Sequence, residues 1–195
     1  MQNRSPVLVL GGRAPAMRWG QGSLQEIDHV PFVRPVVKLA ATVGSTAEIP
    51  GLLDEAWDAA RRPHTGPAFL DFPLDHVFME AEEPALGPPA EIRHPPVDTR
   101  ALERALVLLR EAERPVIMAG NGLYWAHGEH ALRELAEAAG IPVFLNGLAR
   151  GCLPADHELF FARARSAGLK GADVALVIGV PEDFRPAVGG CSGAA

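Results

Sequence analysis

Val36-Val37-Lys38-Leu39-Ala40-Ala41-Thr42-Val43, the segment from Ser45 to Arg62, and Ala68-Phe69-Leu70-Asp71-Phe72-Pro73 decide the fold between them. The first and the last are short apolar runs, the last closed by proline, which predicts buried strands. The segment between them repeats Leu52, Leu53, Ala56, Ala59 and Ala60 at helical spacing, with Ser45 or Thr46 as the cap and Glu48 in the first turn. Strand, long amphipathic helix, strand is an α/β unit with parallel pairing, because a parallel neighbour is reached only through a crossover. Upstream, Val7-Leu8-Val9-Leu10 running into Gly11-Gly12 predicts one more strand, whereas Gly20 to Pro35 carries no period.

Downstream, Glu80 to Pro96 mixes Pro84, Pro88, Pro89, Pro95 and Pro96 with four glutamates and has no apolar periodicity. It reads as a linker, semi-rigid because proline fixes φ. The α/β rhythm then restarts. Asp98 or Thr99 caps a helix with Leu102, Ala105, Leu106 and Leu109 on one face, and Pro115 to Ala119 is a strand that ends in the turn Gly120-Asn121-Gly122. Glu129 to Ala139 is a helix stopped by Gly140, Pro142 to Leu145 a strand, and Ala172 to Val180 a last strand ending at Pro181. The expected organisation is two parallel-sheet α/β layers: a first domain over 1–80, a linker over 81–98 and a second domain over 99–195. The tail from Gly189 to Ala195 follows a strand with no covering helix, so the second layer reads as cut short.

The chain has 195 residues, 48% of them hydrophobic, with 18 Lys and Arg against 24 Asp and Glu, a formal charge of −6. No basic cluster is present to neutralise phosphates, which argues against a nucleic acid or an anionic membrane as partner. No apolar stretch approaches the roughly 18 residues of a spanning helix, and Met1-Gln2-Asn3-Arg4-Ser5-Pro6 lacks a signal peptide's apolar region, so the expected location is the cytoplasm. Cys152 and Cys191 form no C-x-x-C pair, and the seven histidines keep no ligand spacing, so neither a disulfide framework nor a metal site is expected. No Gly-x-Ser-x-Gly elbow accompanies them, which leaves a serine hydrolase unsupported.

Two loops at the carboxyl ends of predicted strands have the composition of an anion cradle. Gly120-Asn121-Gly122 and Asn146-Gly147 both place glycine where a phosphate would need close backbone approach, with Arg163, Arg165 and Lys170 as further positive charge. Tight turns and solvated helix cations account for the same residues equally well. In the first half, Gln25-Glu26-Ile27-Asp28, followed by Arg34-Pro35 and Lys38, is a polar cluster between apolar strands that either lines a site or makes caps and surface ion pairs.

The wording of the sequence carries a resemblance as well. Gly11-Gly12-Arg13-Ala14-Pro15, Gly22-Ser23-Leu24-Gln25-Glu26-Ile27-Asp28, Arg34-Pro35-Val36-Val37-Lys38 and Gly66-Pro67-Ala68-Phe69-Leu70-Asp71-Phe72-Pro73, in this order, resemble the latter half of the pyrimidine-binding domain of thiamine-diphosphate-dependent enzymes of the acetolactate synthase type. Arg114 to Gly122, Gly140-Ile141-Pro142-Val143 and Ala172 to Gly179 resemble that family's central domain. The resemblance implies a carboligase that decarboxylates a 2-keto acid and transfers the acyl carbanion equivalent to a second keto acid. It implies Gln25 as the active-site glutamine, Lys38 as a lysine lining the approach, and Gly120, Asn121, Gly122, Asn146 and Gly147 as central-domain loops for FAD or for ADP or coenzyme A. Arg163-Ala164-Arg165-Ser166 resembles instead the oxalyl-CoA decarboxylase and 2-hydroxyacyl-CoA lyase branch, with Arg165 against the nucleotide.

Two of the family's features have no counterpart in these residues. The proton-relay glutamate belongs to a segment upstream of the matching one, and no Gly-Asp-Gly motif for Mg²⁺ and the diphosphate of thiamine diphosphate occurs. The expectation is a fragment inactive by itself, completed by missing segments of the same enzyme or by a second copy in a homo-oligomer. A non-catalytic nucleotide-binding or subunit-interaction module is the alternative from another class.

Overall fold

The computed structural model describes residues 3–85, 87–88, 91–92 and 94–181. The expectations for Cys191 and for the tail from Gly189 to Ala195 lie outside the described residues. The chain divides into two compact units, Met1–His94 and Pro95–Ala195, each built on its own three-stranded sheet.

In the first unit, β1 (Leu8–Arg13), β2 (Leu39–Thr42) and β3 (Ala68–Pro73) form an all-parallel sheet in the order β1-β3-β2. The expected crossover is α2 (Ile49–Arg61), between β2 and β3. Its small Ala56 and Ala60, with Leu52 and Leu53, sit on Ala68, Leu70, Leu8, Leu39 and Ala41. Neither Ser45 nor Thr46 caps it: a 3-10 turn at Thr46–Glu48 precedes the helix, the Glu48 carboxylate reaches back to the Gly44 N–H at 3.1 Å, and Thr46 Oγ1 donates to the His76 carbonyl. That contact ties the preceding turn together and leaves α2 without a side-chain cap. β2 begins at Leu39 rather than Val36, because Pro31 and Pro35 start a short helix, α1 (Val30–Val33), and a 3-10 turn over Arg34–Val36. A further short helix that periodicity could not disclose, α3 (Leu74–Phe78), follows directly on Pro73.

In the second unit, α4 (Thr99–Glu111) is capped by Asp98, whose carboxylate accepts the Ala101 N–H at 3.0 Å. It leads to β4 (Pro115–Ala119), α5 (Asn121–Trp125), α6 (Glu129–Ala139), β5 (Val143–Leu145), α7 (Arg165–Gly171) and β6 (Val174–Ile178). The sheet is again parallel, in the order β5-β4-β6. One face packs Ile117, Ala119, Val143 and Leu145 against Leu132 and Ala136 of α6, which ends at Gly140 in the left-handed region. The other face packs Val116, Met118 and Phe144 against Leu169 of α7. Of the apolar face expected on α4, only Leu109 reaches the core, and Leu102 stays 50% exposed. Among the described residues, no helix is long and apolar enough to cross a membrane.

Candidate functional site

All three strands of the first unit point their carboxyl ends the same way, and there a polar cluster gathers under the loop from Ala14 to His29. Asp71, two positions before the end of β3, is wholly buried. A charge taken out of water must be paired. Arg13 Nη1 lies 3.3 Å from Asp71 Oδ2 and donates to Thr42 Oγ1 at 3.1 Å, so one guanidinium ties the ends of all three strands. His29 Nδ1 lies 3.0 Å from Asp71 Oδ1. The loop closes over the guanidinium: the Trp19 ring stacks on it at 3.7 Å, and Asp28 approaches to 3.9 Å.

Gln25 sits in this loop, exposed, with φ of +63°, a conformation L-residues adopt only where their surroundings hold them. The surroundings are visible. Its carbonyl accepts N–H groups from Ala14 at 3.1 Å and Ile27 at 3.0 Å. Glu26 folds its carboxylate onto the N–H groups of Gly20 at 2.8 Å and Ser23 at 2.9 Å, and Asp75 of α3 accepts from Ala16 at 2.9 Å and Met17 at 3.1 Å. Thus two carboxylates and an ion-paired arginine fix the loop that presents Gln25.

Those two carboxylates make the loop acid-sensitive. The Ser23 N–H bond, with those from the neighbouring glycines, holds Glu26 below its ordinary value of 4.5. For Asp75 desolvation is the largest single influence and pushes upward, but the Ala16 and Met17 N–H bonds and His76 together carry the value below 3.8. A folded value below the unfolded one means the contribution is complete above the ordinary carboxylate values and is lost as pH falls through the lowered ones. Exchange of the Ser23, Ala16 and Met17 amides is therefore expected to accelerate in that acid window beyond the intrinsic pH effect. In Glu26→Gln, the Ser23 amide is expected to be fast already at neutral pH. Unchanged Ser23 protection in the variant would contradict the arrangement.

Lys38 is not brought to Gln25. It precedes β2 at the amino end of the sheet, where its N–H donates to the Pro67 carbonyl at 2.7 Å and its Nζ to the Arg62 carbonyl at 3.2 Å. Desolvation, reinforced by the neighbouring Arg62 charge, pushes its value down. The two residues therefore lie toward opposite ends of the sheet. A groove of about 420 Å³ beside the start of α2, lined by Glu48, Glu55 and Pro84 among others, contains neither of them.

In the second unit the expected loop residues do converge at one carboxyl edge. Asn146 N–H donates to the Ala119 carbonyl at 2.8 Å, and the buried Asn121 accepts the Leu148 N–H on Oδ1 at 2.7 Å. What needs glycine there is the chain itself. A Cβ on Gly120 would stand 2.8 Å from the Val180 Cα, one on Gly122 2.8 Å from the Gly179 Cα, and one on Gly147 against the Asn121 amide. The close approach at these glycines is made by the neighbouring loops of the same unit. Arg165 opens α7, whose Gly168 and Leu169 pack on Phe144.

Arg13, His29 and Asp71 were not singled out as site residues by spacing. One signal could have found them: Asp71 is a charged residue flanked on both sides by the apolar residues of β3, and a carboxylate placed there demands partners.

Two parallel sheets with polar loops at their carboxyl ends define an open α/β protein of the kind that binds ligands at that edge. Residues 102–190 match the family described as thiamine pyrophosphate enzyme, central domain. An acetolactate synthase large subunit, IlvG, of Mycobacterium tuberculosis is 54% identical over 194 residues, 98% of this chain and 36% of the relative. A glyoxylate carboligase of Escherichia coli O157:H7 is 35% identical over 155 residues, 79% of the chain and 26% of the relative. A human 2-hydroxyacyl-CoA lyase 2 is 29% identical over 222 residues, 95% of the chain and 35% of the relative. The chain belongs to the acetolactate synthase-like family of thiamine-diphosphate-dependent enzymes. It spans about a third of the length of the acetolactate synthase relatives it matches.

Proposed function

We propose that the first unit supplies one wall of the acyl-transfer site of a carboligase, which decarboxylates a 2-keto acid and joins the acyl unit to a second keto acid. The observation that carries this reading is Gln25, exposed on a backbone conformation that the Glu26 and Asp75 carboxylates hold at the carboxyl edge of the sheet. The similarity to an acetolactate synthase, a glyoxylate carboligase and a 2-hydroxyacyl-CoA lyase supports the reaction class. Identity is higher toward the acetolactate synthase, which favours a keto acid as acceptor.

Thiamine diphosphate would supply the electron sink for the decarboxylated acyl unit, and its diphosphate calls for a divalent cation such as Mg²⁺ on oxygen ligands. The residues present do not fit that group. The sequence has no Gly-Asp-Gly, no group of three or more His, Cys, Asp or Glu gathers among the described residues, and Asp71 is already paired with Arg13 and His29. The metal and diphosphate site, and the proton-relay glutamate, are therefore assigned to other segments of the enzyme or to a second subunit. Exposed apolar side chains on the same unit, Leu24 at 89% and Phe32 at 72%, support a surface that is covered in the assembled enzyme.

The test is acetolactate formation from pyruvate with thiamine diphosphate and Mg²⁺. The chain alone is expected to give none. Co-produced with the portions of the Mycobacterium tuberculosis large subunit outside the matched region, it is expected to turn over, and Gln25→Ala in that assembly to lower the rate roughly 100-fold. Turnover by the chain alone, or full activity of Gln25→Ala, would contradict the assignment.

A further inference from the structure

We propose that His29 is a proton-transfer group of the acyl-transfer site and that Asp71 is its orienting carboxylate, a reading that rests on the function proposed above. A carboxylate only accepts, so the 3.0 Å contact to Asp71 Oδ1 requires the proton on Nδ1 of His29. Nε2 is then the ring atom left to accept a proton or to give one up. The His29 side chain is 30% exposed, whereas Asp71 beneath it is wholly buried. The Phe69 ring meets the imidazole edge-on at 6.2 Å, which limits its rotation.

Arg13 makes the pair usable. Were Asp71 paired with His29 alone, deprotonating the ring would strand a buried charge. Here the guanidinium already balances Asp71 at 3.3 Å, so the ring changes charge without leaving the carboxylate uncompensated. Among the described residues, Arg13 from β1 meets Asp71 directly, and Arg13 in turn meets Thr42 from β2 and Asp28 on the loop. His29 also stands four residues after Gln25, in the same held loop.

The proton balance is simple. As the carbonyl carbon of the acceptor keto acid gains its bond to the donor, an acyl-carbanion equivalent, the carbonyl π pair moves to oxygen and takes the Nε2 proton of the imidazolium. A carbon–carbon and an oxygen–hydrogen bond form, the carbonyl π bond and the Nε2–H bond break, and a neutral ring remains with its Nδ1–H on Asp71. Solvent reprotonates Nε2 before the next turnover.

The testing variant is His29→Asn, because an asparagine amide at the Nδ1 position still donates to Asp71 while Nε2 is gone. In the assembled carboligase, kcat is expected to fall about 100-fold, with KM for pyruvate within about twofold and with a changed pH dependence of kcat. In nitrogen-15-labelled full chain, His29 is expected as the Nδ1–H tautomer, with a slowly exchanging ring proton that Asp71→Asn makes labile. An Nε2–H tautomer, or an unchanged kcat for His29→Asn, overturns the proposal. A wild-type assembly that makes no acetolactate counts against the carboligase reading instead, and the tautomer measurement still decides the pairing.

Discussion

Arg13→Met is expected to destabilise the first unit by roughly 3–5 kcal/mol, because it removes the cation that balances a fully buried carboxylate. Asp71 has no exposed surface, and its other partner, His29, balances the charge only when protonated. Methionine keeps a side chain of similar length and volume while losing the charge and its stacking on Trp19. Hydrogen exchange read by mass spectrometry localises the effect: β1, β2 and β3 should lose protection together, and β4, β5 and β6 should keep theirs. The double variant Arg13→Met/Asp71→Leu is expected to recover most of the stability, since removing both charges removes the uncompensated one. A single variant as stable as the wild type would mean that Asp71 is protonated in the folded chain, and the cluster would need a different account.

Gly179→Ala is expected to cost the second unit about 2–5 kcal/mol, the sum of a left-handed backbone penalty and an overpacking term. Gly179 has φ of +60°, and a Cβ there would lie 2.4 Å from the Leu123 backbone nitrogen. That neighbour is backbone in α5, so it has no rotamer by which to withdraw. Gly140→Ala is the control: φ is +64°, close to that of Gly179, but nothing stands within 4 Å of the added atom, so only the backbone penalty remains. Urea midpoints of the two variants should differ accordingly. Equal losses would show that the interlocked carboxyl edge is not what makes Gly179 necessary.

The strands and long helices were legible because their burial is written in composition. Ala68 to Pro73 is apolar except for one residue, and α2 shows Leu52, Ala56 and Ala60 one turn apart. What could not be read was decided by contacts remote in sequence. The caps expected at Ser45 and Thr46 are not made, because the extended Ser45 leaves the first turn to a 3-10 segment and Glu48 closes onto the Gly44 N–H instead. The glycines at 120, 122 and 147 signalled close approach correctly but not to what, since their partners, Gly179, Val180 and Asn121, come from other loops. Lys38 looked like a neighbour of Gln25 in sequence, yet the strand order puts them at opposite ends of one sheet. His29 and Arg13 gave no spacing signal, because their common partner Asp71 lies 42 and 58 residues away.

We propose that these residues present Gln25 and the Asp71 cluster while the metal and diphosphate site is built elsewhere in the enzyme. Calorimetric titration of thiamine diphosphate with Mg²⁺ into the chain tests it most directly. The expected result is no saturable heat at millimolar cofactor, against clear binding by the assembly with the outlying portions of the Mycobacterium tuberculosis relative. Saturable binding of the cofactor by the chain alone, at micromolar concentration and abolished by chelating Mg²⁺, would contradict it.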